Sequence, residues 1–202
     1  MDQQFFQVEK SRDDIRRTVL TNIIKMLTER KTLNKDNMDK NINLLLKEKL
    51  DEETYNIPEK NNIIVKFIDQ KITSINKQSA ISEFVGSNKD KKLIIIVKDI
   101  NLNSIRYIKN ISENAEVFKE VELMINIVDH VFVPKYDVLD RNSNDYINFK
   151  TIYSCTKKGM PKLLDTDPLA RYYGLKVDDI VRIIRPSESS GQSAYYRLVI
   201  KG

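Results

Sequence analysis

Few residues in this chain could do chemistry. His130 is the single histidine and Cys155 the single cysteine. A Ser-His-Asp triad would have to be built on that one imidazole, and a zinc site would have one imidazole and one thiolate toward its three or four ligands. A lone cysteine also excludes an internal disulfide and any C-x-x-C clip, and it fits an intracellular compartment. Metal-dependent hydrolysis is the remaining enzymatic reading. Asp69-Gln70-Lys71 ends one apolar run and Lys98-Asp99 ends the next, and some α/β nucleases hold a metal with acids and lysines on adjacent strands. Such a site needs two or three converging carboxylates. Short D-x-K strings arise by chance in a lysine-rich chain, so solvated strand ends are the simpler assignment for Asp69, Lys71 and Asp99. With five glycines and neither GxxxxGK[ST] nor GxGxxG, a phosphate-cradling loop has little to be made from. Asp167 and Glu188 could imitate an acid/base pair, but Asp167 is better used as a helix cap and Glu188 as a loop residue. No catalytic residue, metal or cofactor is expected.

The arginines near the end of the chain suggest recognition. In Asp179-Ile180-Val181-Arg182-Ile183-Ile184-Arg185, strand periodicity puts Val181 and Ile183 on one face and Arg182 and Ile184 on the other. Arginine beside aliphatics, with Tyr195 and Tyr196 on the neighbouring strand, has the composition of a protein–protein hot spot. Tyr and Arg could also stack on nucleic-acid bases. Composition alone leans toward docking without deciding between the two.

The elements that must position these residues fall into two styles. Ser11 followed by Arg12-Asp13-Asp14 reads as an N-cap with acids in the first turn. Ile15, Val19, Ile23 and Leu27 then form one apolar face of a helix reaching about Arg30. Met38, Ile42, Leu45, Leu46 and Leu50 predict a second helix, and Pro58 and Asn61-Asn62 punctuate. NIIVKFID is strand-like, and the β-branched run KKLIIIVKD predicts a strand covered on both faces. Ile75, Ala80, Ile81, Phe84 and Val85 suit a short helix closed at Gly86, residues 100–111 another helix, and ELMINIVDH a third strand. Strands alternating with helices imply an α/β layer structure to about His130. Beyond it, VFVPKYDVLD is extended and RNSNDYINFKTIYSC is ambiguous between helix and coil. Asp167 as cap, Pro168 at the first helical position and Gly174 as stop define a short helix. Strand 179–185, the loop PSESSGQS and strand 194–200 follow as a hairpin. The expected organisation is an α/β domain over 1–129 and a small α+β domain over 130–202.

The 202 residues are 41% hydrophobic and 31% charged, the balance of a soluble protein, and no apolar run approaches the length of a membrane helix. MDQQFFQVEK lacks the layout of a signal peptide. The net charge of +5 is uneven: 22 basic and 21 acidic residues stand up to His130, 12 and 8 after it. A free-standing DNA binder usually shows a denser basic stripe.

DPLARYYG, VRIIRPSESSG and YYRLV resemble the C-terminal signature of the fifth subunit of eukaryotic RNA polymerases and of its archaeal counterpart. The family pattern is close to D-P-x-A-R-Y-x-G, then V-K-I-I-R-x-S-E-T-x-G, then Y-R. Matching positions here are Asp167, Pro168, Ala170, Arg171, Tyr172 and Gly174, then residues 181–185, Ser187, Glu188 and Gly191, then Tyr196 and Arg197. Upstream, ELMINIVDHVFVPKY resembles the junction L-x-x-N-I-x-x-H-x-L-V-P-x-H at Asn126, Ile127, His130, Val133 and Pro134, and GMPKL resembles Q-L-P-R-I. These ordered strings cover about 80 residues; the preceding 120 or so match the longer eukaryotic-type version in layout more than in letters.

The resemblance implies an N-terminal jaw domain of nuclease-like, three-layer α/β topology without nuclease activity, and a C-terminal assembly domain. It implies a non-catalytic subunit of DNA-directed RNA polymerase, docked on the largest subunit with the sixth subunit nearby and downstream DNA close. Docking would fall to Arg171, Tyr172, Arg182, Arg185, Glu188, Tyr195, Tyr196 and Arg197. Weak, backbone-directed DNA contact would fall to Asn101, Asn103, Ser104, Arg106 and Lys109. No membrane or small-molecule substrate is implied. A cellular member would work in the nucleus, a viral one in the virion or a cytoplasmic viral factory. The chain departs from the pattern at Asn101-Leu102-Asn103-Ser104, where the family carries T-P-S-A, and at Lys176-Val177-Asp178, where it carries Lys-Arg-Gly. Gln192 replaces a basic residue, and NSNDYINFKTIYSC replaces a charged helix. With the abundance of Asn, Lys and Ile, these departures suit a divergent lineage such as a large DNA virus.

Overall fold

A computed structural model describes residues 11–45, 49–51, 53–57, 62–76, 79–153 and 158–202. Leu46, Pro58, Asn61 and Cys155, which carried part of the sequence argument, lie outside them. The chain divides into two compact units, Met1–Ile125 and Asn126–Gly202.

In the first unit, helix α1 (Arg12–Glu29) starts where Ser11 Oγ accepts from the Asp14 amide, with Asp13 and Asp14 at the positive end of the helix dipole. Its apolar stripe buries Val19, Leu20, Ile23, Ile24, Met26 and Leu27. Helix α2 (Met38–Leu45) is shorter than its apolar spacing suggests. Leu50 belongs instead to strand β1 (Lys49–Asp51), which pairs antiparallel with β2 (Thr54–Asn56). Strands β3 (Ile63–Ile72), β4 (Lys92–Ile100) and β5 (Ala115–Lys119) are mutually parallel, with β2 antiparallel to β3, giving the sheet order β1-β2-β3-β4-β5. Helices α3 (Ala80–Ser87) and α4 (Leu102–Ile111) lie between successive parallel strands. They bring Val85 and Ile108 onto one sheet face against Ile64, Leu93, Ile95 and Val97. The other face includes Phe67, beneath the guanidinium of Arg16 from α1. Burial on both faces explains the unbroken apolar run of β4. Gly86 is inside α3, whose last residue is Ser87, so it does not end the helix as the sequence suggested.

The expected third strand over ELMINIVDH is incorrect. The third parallel strand is β5, just upstream, and the segment itself forms the short helix α5 (Glu120–Leu123) and a 3-10 turn, Ile127–Asp129. Leu123 is buried while Val121 and Ile125 are exposed, so the run is not the core strand its hydrophobicity suggested. Glu120 and Glu122 favour a helical first turn at that point.

The second unit is a four-stranded sheet in the order β6-β8-β9-β7, formed by β6 (Lys135–Leu139), β7 (Lys162–Leu164), β8 (Ile180–Ser187) and β9 (Gly191–Ile200). Helix α6 (Asn144–Tyr153) and helix α7 (Pro168–Tyr173) cover it. One face packs Leu163, Val181, Ile183 and Val199 with Ala170 of α7. The opposite face packs Leu139, Ile180 and Leu198 with Phe149 of α6. The ambiguous RNSNDYINFKTIYSC is therefore helical at its centre: one aromatic residue anchored in a core decides what weak periodicity could not. No helix of the described residues is long and apolar enough to cross a membrane.

Candidate docking surface and strand-end ion pairs

The motif residues of the second unit have different tasks, assigned by the register of β8 and β9. Ile183 stands opposite Tyr195, Val181 opposite Arg197 and Arg185 opposite Ser193. These residues share the α7 face. Arg182 stands opposite Tyr196 and Ile184 opposite Ala194, on the α6 face. The two tyrosines expected to act together thus point to opposite sides of the sheet, as adjacent strand residues must.

On the α6 side, Arg182 pairs with Asp137, its neighbour across β6. This hydrogen bond outweighs partial burial and raises the Arg182 pKa further. Tyr196 packs its ring 4.5 Å from that of Phe149. Both residues stabilise this layer.

On the α7 side, Asp167 Oδ1 accepts from the Leu169 amide at 2.9 Å, Pro168 occupies the first turn, and Gly174 ends the helix at φ 63°. The C-cap requires a left-handed residue, which glycine adopts without a Cβ clash. Tyr172 contradicts its expected docking role. It is 5% exposed, and its hydroxyl donates to Asn126 Oδ1 at 2.7 Å within the same unit. Arg171 on α7 is partly exposed, and Glu188 is an exposed residue of the hairpin turn. Arg185 lies over the ring of Tyr195, 5.5 Å from its centroid, and Tyr195 is 51% exposed. Neither Arg185 nor Arg197 forms an ion pair with a described residue. Beside them Tyr136 of β6 stacks on Tyr173, with centroids 5.6 Å apart. Burial and the charge of Asp167 raise the Tyr136 phenol pKa, while Arg197 and Arg185 oppose the shift. Tyr136 and Asp137 gave no signal in the sequence because their importance comes from cross-strand register with β8, which no local pattern encodes.

In the first unit, Asn101 caps α4: its Oδ1 accepts from the Ser104 amide at 2.7 Å, and its Nδ2 donates to the Thr73 carbonyl. Ser104 is 3% exposed, so its side chain is not presented to solvent as the DNA-contact expectation required. Asn103, Arg106 and Lys109 are exposed on α4, whose Ile105 and Ile108 face the core.

The carboxylates considered for metal binding are held by cations. Asp69, at the irregularity in β3, pairs with Arg12 and Arg16 of α1, and Arg12 also reaches Glu120 at 2.9 Å. Asp99 bridges Lys71 at 3.1 Å and Lys119 at 2.8 Å, joining the ends of β3, β4 and β5. Hydrogen bonds from Lys119 and then Lys71 hold the Asp99 carboxyl at a pKa of about 2. Among the described residues no group of three His, Cys, Asp or Glu side chains could hold a metal ion. The geometry joins neighbouring strand ends through ion pairs instead of leaving carboxylates converging on open space.

Residues 125–199 match the family model for the C-terminal domain of RNA polymerase Rpb5. The chain is 34% identical over 206 residues to DNA-directed RNA polymerase subunit 5 of Acanthamoeba polyphaga mimivirus, covering 96% of each protein. It is 30% identical over 128 residues to the Dictyostelium discoideum subunit rpabc1 of DNA-directed RNA polymerases I, II and III, covering 59% of this chain and 64% of that protein. With the Arabidopsis thaliana DNA-directed RNA polymerase subunit 5-like protein 1 it shares 41% identity over 85 residues, 42% of this chain and 40% of the relative. The near-complete viral match and the C-terminal family match agree with the order of motifs on the second unit's sheet. The chain belongs to the subunit 5 family of DNA-directed RNA polymerases.

Proposed function

We propose that this polymerase subunit is structural and non-catalytic, docking on the largest subunit through its second unit and contributing to the lower jaw near downstream DNA. The observation that carries this reading is the agreement between the family match, 125–199, and the self-contained unit Asn126–Gly202. The matched segment has its own sheet and a helix-covered core on each face. It can therefore serve as a rigid platform for assembly. The first unit acts as the jaw, with Asn103, Arg106 and Lys109 available for weak contacts to DNA phosphates. The sixth subunit lies nearby, and nucleotide transfer belongs to the large subunits. Extensive similarity to a viral relative favours work in a virion or viral factory; a cellular setting would place the protein in the nucleus.

Affinity purification of the tagged full-length protein from its native source tests this reading. Co-purification of the two largest polymerase subunits, with polymerase activity in the assembly and none in the isolated chain, is the expected result. Recovery of a lone nucleic-acid-binding species, or metal-dependent nuclease activity that disappears on changing Asp69 and Asp99, would overturn it.

A further inference from the structure

Arg185, Tyr195 and Arg197 form a cation–aromatic–cation stripe on the α7 face. The register places Arg185 opposite Ser193, so successive positions advance by two residues along β9. At strand rise this is about 7 Å per step and about 13 Å between the two arginine positions. Tyr195 is 51% exposed, and neither arginine has an acidic partner among the described residues. The companion arginine on the reverse face, Arg182, has Asp137 as a partner and is already engaged within the fold. Val138, opposite Val181 on the same face as Arg197, is 36% exposed and adds apolar surface.

We propose that this stripe receives an extended acidic peptide segment of the partner subunit with the pattern acid–x–aromatic or aliphatic–x–acid. An extended chain repeats its side-chain direction every two residues, so its first acid meets Arg185, its apolar residue meets Tyr195 and its second acid meets Arg197. The proposal rests on the docking reading above and specifies the chemistry of the docked segment. The two arginines call for an acidic partner, and exposed Tyr195 between them with Val138 on the same face favours one that also carries an apolar side chain, a peptide over nucleic acid. Only two arginines, separated by an exposed tyrosine, make a poor track for a phosphate backbone, which needs a denser row of cations.

Fluorescence anisotropy with the intact chain tests the stripe. The probe is a fluorescein-labelled peptide containing aspartate–serine–phenylalanine–serine–aspartate; controls carry asparagine or lysine in place of both aspartates. The acidic peptide should bind, and rising salt should weaken it. Arg185→Gln with Arg197→Gln should reduce affinity by about tenfold or more without changing the thermal midpoint. Arg185→Glu with Arg197→Glu should transfer binding to the lysine peptide. Equal binding of the asparagine peptide, or unchanged binding by the double glutamine variant, would overturn the proposal. Binding of single-stranded oligothymidine through these arginines, with no binding of the acidic peptide, would overturn it in favour of nucleic acid. The same glutamine variant in the affinity purification separates the two levels of inference. If it retains the large subunits at the wild-type level, docking stands and the stripe is rejected as the docking contact. If wild type binds the acidic peptide but recovers no large subunits, the acid-recognising stripe stands as a binding site while its assignment to polymerase docking fails.

Discussion

Tyr172 donates its hydroxyl hydrogen to Asn126 Oδ1 at 2.7 Å, and both side chains are buried. The bond ties α7 to the first residue of the second unit, 46 positions upstream. Removing one partner leaves a buried polar group without its bond, at a cost of about 1–3 kcal/mol. Tyr172→Phe should lower the unfolding free energy of the intact chain by that amount. A double-mutant cycle with Asn126→Ala should give less than additive losses. Additive effects in denaturant unfolding would show that the pair is not energetically coupled.

Asp178 occupies the position where the family pattern has glycine, and its φ is 73°. Its amide donates to the Val199 carbonyl at 2.9 Å, holding the left-handed turn against β9. Asp tolerates this region better than most residues, whereas a β-branched side chain is strained there. Asp178→Gly should change stability by less than about 1 kcal/mol, because relief of strain is offset by greater unfolded-state entropy. Asp178→Val should destabilise by about 1–3 kcal/mol. Equal melting of the valine variant and wild type would remove the conformational explanation.

Local chemistry made much of the fold readable. The Asp167-Pro168 start, the Gly174 stop, the Ser11 cap and the β-branched run of β4 each encode a conformation within a few residues. The errors came where distant partners decide. ELMINIVDH has strand-like letters, but β5 precedes it and only Leu123 of its first helix enters the core. Tyr172 carried a visible motif signal whose meaning depended on Asn126. Tyr195 and Tyr196 were visible as a pair, but strand alternation divides their roles. The Arg185–Tyr195–Arg197 stripe required the β8–β9 register and could not be assembled from either strand alone.

Contacts of the first unit with DNA should depend on charge and not on base identity. Arg106 and Lys109 are exposed on α4, while Asn101 is held in the cap and Ser104 is buried. Arg106→Ala should reduce crosslinking of the assembled polymerase to downstream DNA several-fold, with an unchanged sequence profile, as expected for a phosphate contact. A changed base preference would contradict this assignment.

The Asp99 bridge predicts an acid-dependent weakening. The folded carboxyl titrates at about 2 because of hydrogen bonds from Lys119 and then Lys71, whereas an unperturbed Asp titrates at about 3.9. Its stabilising contribution is therefore present above about pH 4 and lost as pH falls through about 2. The partners are substantially exposed, so high salt should diminish the effect. In carboxyl-carbon NMR titrations, Lys119→Met should raise the Asp99 pKa toward its ordinary value more than Lys71→Met does. No shift in either variant would show that these lysines do not hold the carboxylate.

Asp167 supplies the sharpest distinction between folding and chemistry. Its carboxylate caps α7 through the Leu169 amide, and that helix buries Ala170 and Tyr172 while carrying Arg171. Asp167→Ala should destabilise the chain by about 0.5–2 kcal/mol through loss of the cap. Polymerase assembly should weaken with it, because α7 supports the face bearing Arg185 and Arg197. Asp167→Ser should restore most of both losses, since the serine hydroxyl can accept from the same amide. A carboxylate acting as an acid, base or metal ligand could not be replaced in this way. Thermal unfolding and co-purification of the three proteins separate the outcomes: normal stability with failed assembly in the serine variant would reject capping as the role of Asp167.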